Sequence, residues 1–251
     1  MTRWARAAVV AVLVAAPAFA HPAAPLAFLP SIPRVRIEVS GDRAVITEEV
    51  NLPRGDWRFG DLDFYVAFGA PGTPEAFDAH LLPVGDGELE PREADTGDKL
   101  TAERASHRPS TAHPLLGAPS MAGMVVHVSE ATFRRATADG GMAALRLRSL
   151  VSLPSTDPAR GRELLVRLGA SEAGSTPLTL GRIQVAPLDK TVAVTGAEAH
   201  LCGPDADPWP LAVAVLPKPV EPASPSVPPP IAPVLALRHP TDDLCVRVWT
   251  R

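Results

Sequence analysis

Residues 34–52 read RVRIEVSGDRAVITEEVNL, and the first seven of them decide the fold class. Val35, Ile37 and Val39 fall on one side of an extended chain, while Arg34, Arg36 and Glu38 fall on the other. Successive side chains alternate across a strand, so this pattern is a strand with one apolar face. Gly41-Asp42 then permits a tight turn into RAVITEEVNL, and the stretch reads as a β-hairpin.

Working outward, the same period of two recurs along the chain. It appears in Leu62/Phe64/Val66/Phe68, Met124/Val126/Val128 and the long run from Ala143 to Leu153. It returns in Leu164/Val166/Leu168, Leu211/Val213/Val215 and Leu244/Val246/Val248. Many short alternating runs with turn residues between them predict an all-β, antiparallel β-sandwich of Ig-like or jelly-roll type, or a pair of packed sandwiches. Helical signals are few. Thr73-Pro74-Glu75 before AFDAHLL offers an N-cap with Pro at the first helical position, and Ser129 to Ala138 ends at Gly140-Gly141, so one or two short connecting helices are expected.

Two segments break the alternation. Residues 86–119 are polar and rich in both charges, too long for an ordinary connection, and read as a mobile loop or a lid. Residues 217–233 hold eight prolines, which enforces an extended surface strap and excludes a central strand. Cys202 and Cys245 flank that strap. A disulfide between them would close a loop of roughly 40 residues and stabilise the fold by about 4 kcal/mol on chain-entropy reasoning. The division that follows is a Pro-rich segment over 21–33, a main β-sandwich over 34–187 and a C-terminal β region over 188–251.

Residues 1–20 place Arg3 and Arg6 ahead of an apolar run and finish on Ala18-Phe19-Ala20, a small-x-small cleavage pattern. This is a secretory signal cut after Ala20, and it predicts a periplasmic or secreted protein. The apolar run is far shorter than the roughly 20 residues that span a bilayer as a helix, so no membrane span is expected. The formal net charge is −4 before the signal's two arginines are lost, which makes nucleic acid a poor partner.

Cleavage there makes His21 the first residue. A terminal His offers its α-amino group and an imidazole nitrogen together, and a second His would complete a set that resembles the histidine brace of copper-binding secreted proteins. Amine and imidazole suit Cu(II). His127 and His200 are the candidate partners, because both sit in strand-like segments that hold a ring still. His200, Cys202, His239 and Cys245 also form a conceivable zinc set, but their spacing lacks the usual paired motifs and the compartment is oxidising.

Other motifs carry less. His107 and His113 fall in the charged loop, and Asp61-Leu62-Asp63 and Asp205-Ala206-Asp207 are fragments of calcium-loop chemistry without the full ligand set. Ser120 in GAPSMAG lacks the G-x-S-x-G elbow, and no phosphate loop, dinucleotide fingerprint or H-E-x-x-H occurs. No catalytic residue is assigned. The reading is an exported, non-enzymatic β-sandwich protein that needs no cofactor and has an envelope, surface-assembly or partner-binding role, with another envelope or surface protein as its partner. A copper protein built on His21 is the alternative, and a hydrolase of envelope polymers is the next.

Overall fold

The computed structural model describes residues 34–52, 61–68, 73–85, 91, 97–107, 121–138, 142–153, 161–166, 179–180, 182–202, 213–219, 235–236 and 243–251. Among them the chain is mostly β with one helix. The strands of the first half are β1 (Arg34–Val39), β2 (Arg43–Leu52), β3 (Leu62–Ala67), β4 (Ala76–Val84), β5 (Asp98–Lys99), β6 (Thr101–His107) and β7 (Met121–Val128). Helix α1 (Glu130–Ala136) follows. Then come β8 (Met142–Ser152), β9 (Arg162–Val166), β10 (Thr179–Leu180), β11 (Arg182–Pro187), β12 (Val194–Cys202), β13 (Ala214–Val215), β14 (Leu235–Ala236) and β15 (Asp243–Thr250).

The hairpin of the opening stretch is the centre of a seven-stranded sheet ordered β13-β11-β1-β2-β8-β4-β5. Val39 stands opposite Ala44, and the amide of Ser40 donates to the carbonyl of Arg43 at 2.8 Å, closing the two-residue loop at Gly41-Asp42. The sheet is mixed rather than purely antiparallel. β11 lies parallel to β1, and β13 lies parallel to β11. Since β2 already occupies one edge of β1, a strand arriving from far along the chain can only join the other edge, and a long connection leaves either direction open.

Two three-stranded sheets, β12-β15-β9 and β3-β7-β6, and a short pair β10-β14 complete the strand count among the described residues. Both three-stranded sheets pack on one face of the large sheet, at opposite ends of its long strands. The first covers Val35, Ile37, Val39, Ala44, Ile46, Val151 and Ile183 with Leu164, Ala199, Leu244, Val246 and Val248. The second, with Phe133 of α1, covers Leu52, Ala79, Leu81, Ala143, Leu145 and Leu147 with Val66, Val126 and Val128. Each such side chain contributes about 1.5–3 kcal/mol when taken out of water, so the two cores supply most of the driving force. β2 and β8 run through both.

Helix α1 follows the sequence signal. Ser129 Oγ accepts from the amide of Thr132 at 3.2 Å, and Asp61 Oδ1 accepts from the amide of Glu130 at 3.0 Å, so two of the orphan donors at the helix start are satisfied. The helix expected after Thr73-Pro74 is instead β4. The amide of Glu75 donates to Leu150 O at 2.7 Å, and Ala76 to Val84 then pair residue by residue with β8. A cap signal is local, whereas this pairing sets Ala79 and Leu81 in the second core, and the tertiary gain overrides the local preference.

Residues 86–119 also need correction in part. Thr101 to His107 form β6, paired with β7 from Thr101↔His127 to His107↔Met121, and Leu100 is buried. The charges misled the reading, because Glu103 and Arg104 are exposed while Ala102 packs on the core. The rest of that segment beyond 91 and 97–107, and the strap beyond 217–219, lie outside the described residues.

Gly97 precedes β5 with φ +59. A Cβ there would press into the carbonyl of Leu81 and the side chain of Leu82. Gly97→Ala is expected to cost about 2 kcal/mol, from left-handed strain and the steric conflict with β4. A melting-temperature fall of about 5 °C checks it, and an unchanged melting temperature would show that β5 does not dock on β4.

Candidate functional site

The two adjacent glutamates of β2 face opposite ways, and each is placed where a carboxylate does something unusual. Glu49 lies on the face of the large sheet away from the two cores. It stands opposite Arg34 of β1 and Arg146 of β8. Arg34 Nε donates to Glu49 Oε2 at 3.1 Å, and Arg146 Nε donates to Glu49 Oε1 at 2.6 Å, so one carboxylate is held between two guanidinia. A second nitrogen of Arg34 donates to Asn51 Oδ1 at 3.0 Å. The side chains of Arg34, Glu49 and Arg146 are only 7%, 14% and 19% exposed, so the triad is largely shielded from water.

This row continues across the sheet. His80 of β4 stands opposite Arg146 and also opposite Lys99 of β5. The Nδ1 of His80 is buried with no hydrogen-bond partner among the described residues. The next row, two residues along, sets Arg36, Thr47, Arg148 and Asp78 side by side, with Gln184 beyond Arg36. Asp78 is turned to Lys99 at 3.4 Å. This is a cation-rich, ordered polar face.

Glu48 lies on the other face. Its cross-strand neighbours are Val35 and Leu147, and Ile46 and Val50 flank it along β2. Val35 and Ile46 belong to one core, while Leu147 belongs to the other and Val50 packs against it. Glu48 therefore stands at the junction between them. It is half-buried there without a hydrogen-bond or ion-pair partner among the described residues, and burial pushes its carboxyl up to about 8. Desolvation disfavours the charged form, and among the described residues no cation is paired with it to compensate. On β1, β2 and β8 this face carries one other polar side chain, Ser149, which falls at the same junction. A neutral carboxylic acid at pH 7 can donate a hydrogen bond, but it has no nucleophile or second acid beside it on these strands.

The residues singled out from the sequence lie elsewhere. His127 is on β7, opposite Asp63 and Thr101, on the side away from the core residues Val126 and Val128. His200 is half-buried on β12, opposite Cys245. These two histidines belong to different three-stranded sheets, so a brace could recruit one at most. His21, His113, Ser120, Asp205, Asp207 and His239 lie outside the described residues. Among the described residues no group of three or more His, Cys, Asp or Glu is placed to hold a metal. Asp61 has a structural task at the start of α1.

The register puts Cys202 opposite Asp243 and Cys245 opposite His200. The cysteines thus share a face of neighbouring strands, one diagonal step apart. On that same face Arg247 bonds Glu198 and Glu163 of the flanking strands, each at 3.0 Å.

Sequence reading missed both glutamates. A signal for Glu48 was present: Ala44, Ile46, Val50 and Leu52 form a period-two apolar series, and an acid interrupts it. Glu49 left no such trace, because an acid on a strand's polar face is ordinary. No protein-family model matches the chain, and no curated protein matches it.

Proposed function

We propose that this is an exported, non-enzymatic protein that binds a partner in the cell envelope or at the cell surface. The observation that carries the reading is the outer face of the large sheet, where Arg34, Glu49 and Arg146 are cross-linked by charge-assisted hydrogen bonds. The shielded triad stiffens the sheet, and the exposed cations mounted on it, Arg148 and Lys99, lose little backbone freedom on meeting a partner, which favours recognition. The architecture is a β-sandwich in which one long sheet carries two smaller sheets on a single face, the paired-sandwich form of the Ig-like or jelly-roll expectation. Export rests on residues 1–20 and their cleavage pattern.

A Cys202–Cys245 disulfide belongs to this reading. Cys202 and Cys245 lie on paired strands, one diagonal step apart in the register.

Intact mass and N-terminal sequence of the protein recovered from the periplasm or culture medium test export and the cross-link together. The expected result is a chain beginning at His21 with no thiol reactive before reduction. Retention of Met1 would sink export, and two free thiols would sink the cross-link. Photo-crosslinking in intact cells from position 99, which is exposed beside the cation-rich rows, should give one discrete adduct with an envelope protein. One copper per chain, lost when a residue is added ahead of His21, would replace this reading with the histidine brace.

A further inference from the structure

We propose that the junction between the two cores is a binding groove for an organic ammonium ion with an apolar body, held by Glu48 as its counter-ion and by Ser149 as a second polar contact. The groove is drawn by exposure. On the core-bearing face of the large sheet, Phe77 of β4 and Ser149 of β8 stand side by side, Glu48 of β2 lies one row further along, and Val50 lies in the row after that. All four are half-buried. On one side of this line Val35, Ile37 and Ile46 belong to the first core, on the other Ala79, Leu145 and Leu147 belong to the second, and all six are buried. Each small sheet therefore seals its own end of the face, and the diagonal between them reaches water. Strands lie about 4.8 Å apart and residues two apart on a strand about 7 Å, so the line from Phe77 to Val50 is roughly 15 Å long, enough for a short apolar chain with a head group.

The polar groups on this line have nothing to bind. Neither the Glu48 carboxyl nor the Ser149 hydroxyl has a hydrogen-bond or ion-pair partner among the described residues. The neighbours of Glu48 on β1, β8 and β4, which are Val35, Leu147 and Ala79, carry no charge. On the elements packed above, Arg162 shares the inward side of β9 with Leu164 but donates to the carbonyl of Gly41 at the hairpin, and Arg104 shares the side of Ala102 on β6 and is exposed. In α1, Arg134 pairs with Glu130 and Arg135 with Asp98. Burial alone acts on Glu48, so none of these cations compensates it. A ligand that brings its own positive charge supplies what the chain omits. An ammonium beside the carboxylate gains more in this shielded setting than it would in water, and the Ser149 hydroxyl accepts a second N–H. The apolar body then covers Phe77 and Val50 and removes them from water. An anion finds no donor cation there, and charge complementarity selects the amine.

The inference stands apart from export and from the identity of any protein partner. It is tested on the full chain by isothermal titration calorimetry with probes that share one alkyl chain: hexylamine, hexanamide, hexanol and hexanoate. At pH 8 hexylamine should bind at one site per chain and at least tenfold tighter than any of the others. The free carboxyl holds its proton up to about 8, and the amine must displace that proton. Hexylamine affinity should therefore rise about fiftyfold from pH 6 to pH 8, following the ionised fraction, and level off above. Buffers of different ionisation heat should show about one proton released per amine bound at pH 6. Glu48→Gln keeps the shape of the protonated acid, so it should fold, lose the pH dependence and bind hexylamine at least tenfold more weakly at pH 8. Ser149→Val should weaken hexylamine at least threefold and keep the pH dependence. Equal binding of all the probes would reduce the groove to an apolar crevice, and tighter binding of hexanamide would make it a site for a neutral acceptor. Either result, or undiminished hexylamine binding in Glu48→Gln, would overturn the assignment.

Discussion

Replacing Glu48 by glutamine should raise the melting temperature by about 10 °C at pH 8 and leave it nearly unchanged at pH 4. The carboxyl ionises near 4.5 in an unfolded chain but only at about 8 in the folded protein. Below pH 4.5 both states hold the proton, and the group contributes no pH dependence. Between about 4.5 and 8 the unfolded chain releases the proton while the folded protein keeps it, so stability falls as pH rises. Above 8 the folded state must carry a charge among Val35, Ile46, Leu147 and Val50, and the loss levels off. One pKa unit corresponds to about 1.4 kcal/mol, which makes the accumulated loss about 4 kcal/mol at pH 8. For a chain of this size each kcal/mol moves the midpoint by about 2–4 °C. Glutamine has the shape of the protonated acid and cannot ionise, so the variant should lack the decline. Parallel melting curves of both proteins from pH 4 to pH 8 would place Glu48 outside the apolar junction.

The alternation that betrays Glu48 also made most of the fold legible. Val35, Ile37 and Val39 all entered the core, as did Val126 and Val128, Leu164, and Leu244, Val246 and Val248. Each lies in a run whose polar partners face the other way, and in a strand that pattern alone fixes the buried side. β4 was not legible, because AFDAHLL follows a helix-start signal and its period of two shows only when Phe77, Ala79 and Leu81 are set against β8. β6 was hidden for a different reason: TAERASH has small alternating residues and charges, and only pairing with β7 makes it a strand. The parallel placement of β11 is a property of long-range connection, which no local pattern encodes. The outer-face triad was unreadable for the same cause. Arg34, Glu49 and Arg146 are far apart in sequence, and an arginine is a core-like, 6%-exposed residue at position 34 only once the sheet has assembled.

That triad sets the second large effect, which removal of its central charge exposes. Glu49→Ala should cost about 3–5 kcal/mol, since it leaves two shielded guanidinia facing one another with nothing between them. Arg34 keeps its bond to Asn51, but a neutral amide oxygen does not replace a carboxylate for a cation taken out of water. The pair's own contribution is a different quantity. Removing three charges from water is itself costly, and an apolar set of similar volume can do as well. The triple variant Arg34→Met, Glu49→Leu, Arg146→Met should therefore recover most of what Glu49→Ala loses, as read by urea denaturation. The contrast separates two roles for the row. Recovery in the triple variant means that the charges are dispensable for folding. A Glu49→Ala variant within about 1 kcal/mol of the parent would mean that water reaches the two arginines freely, and the shielded triad would have to be abandoned.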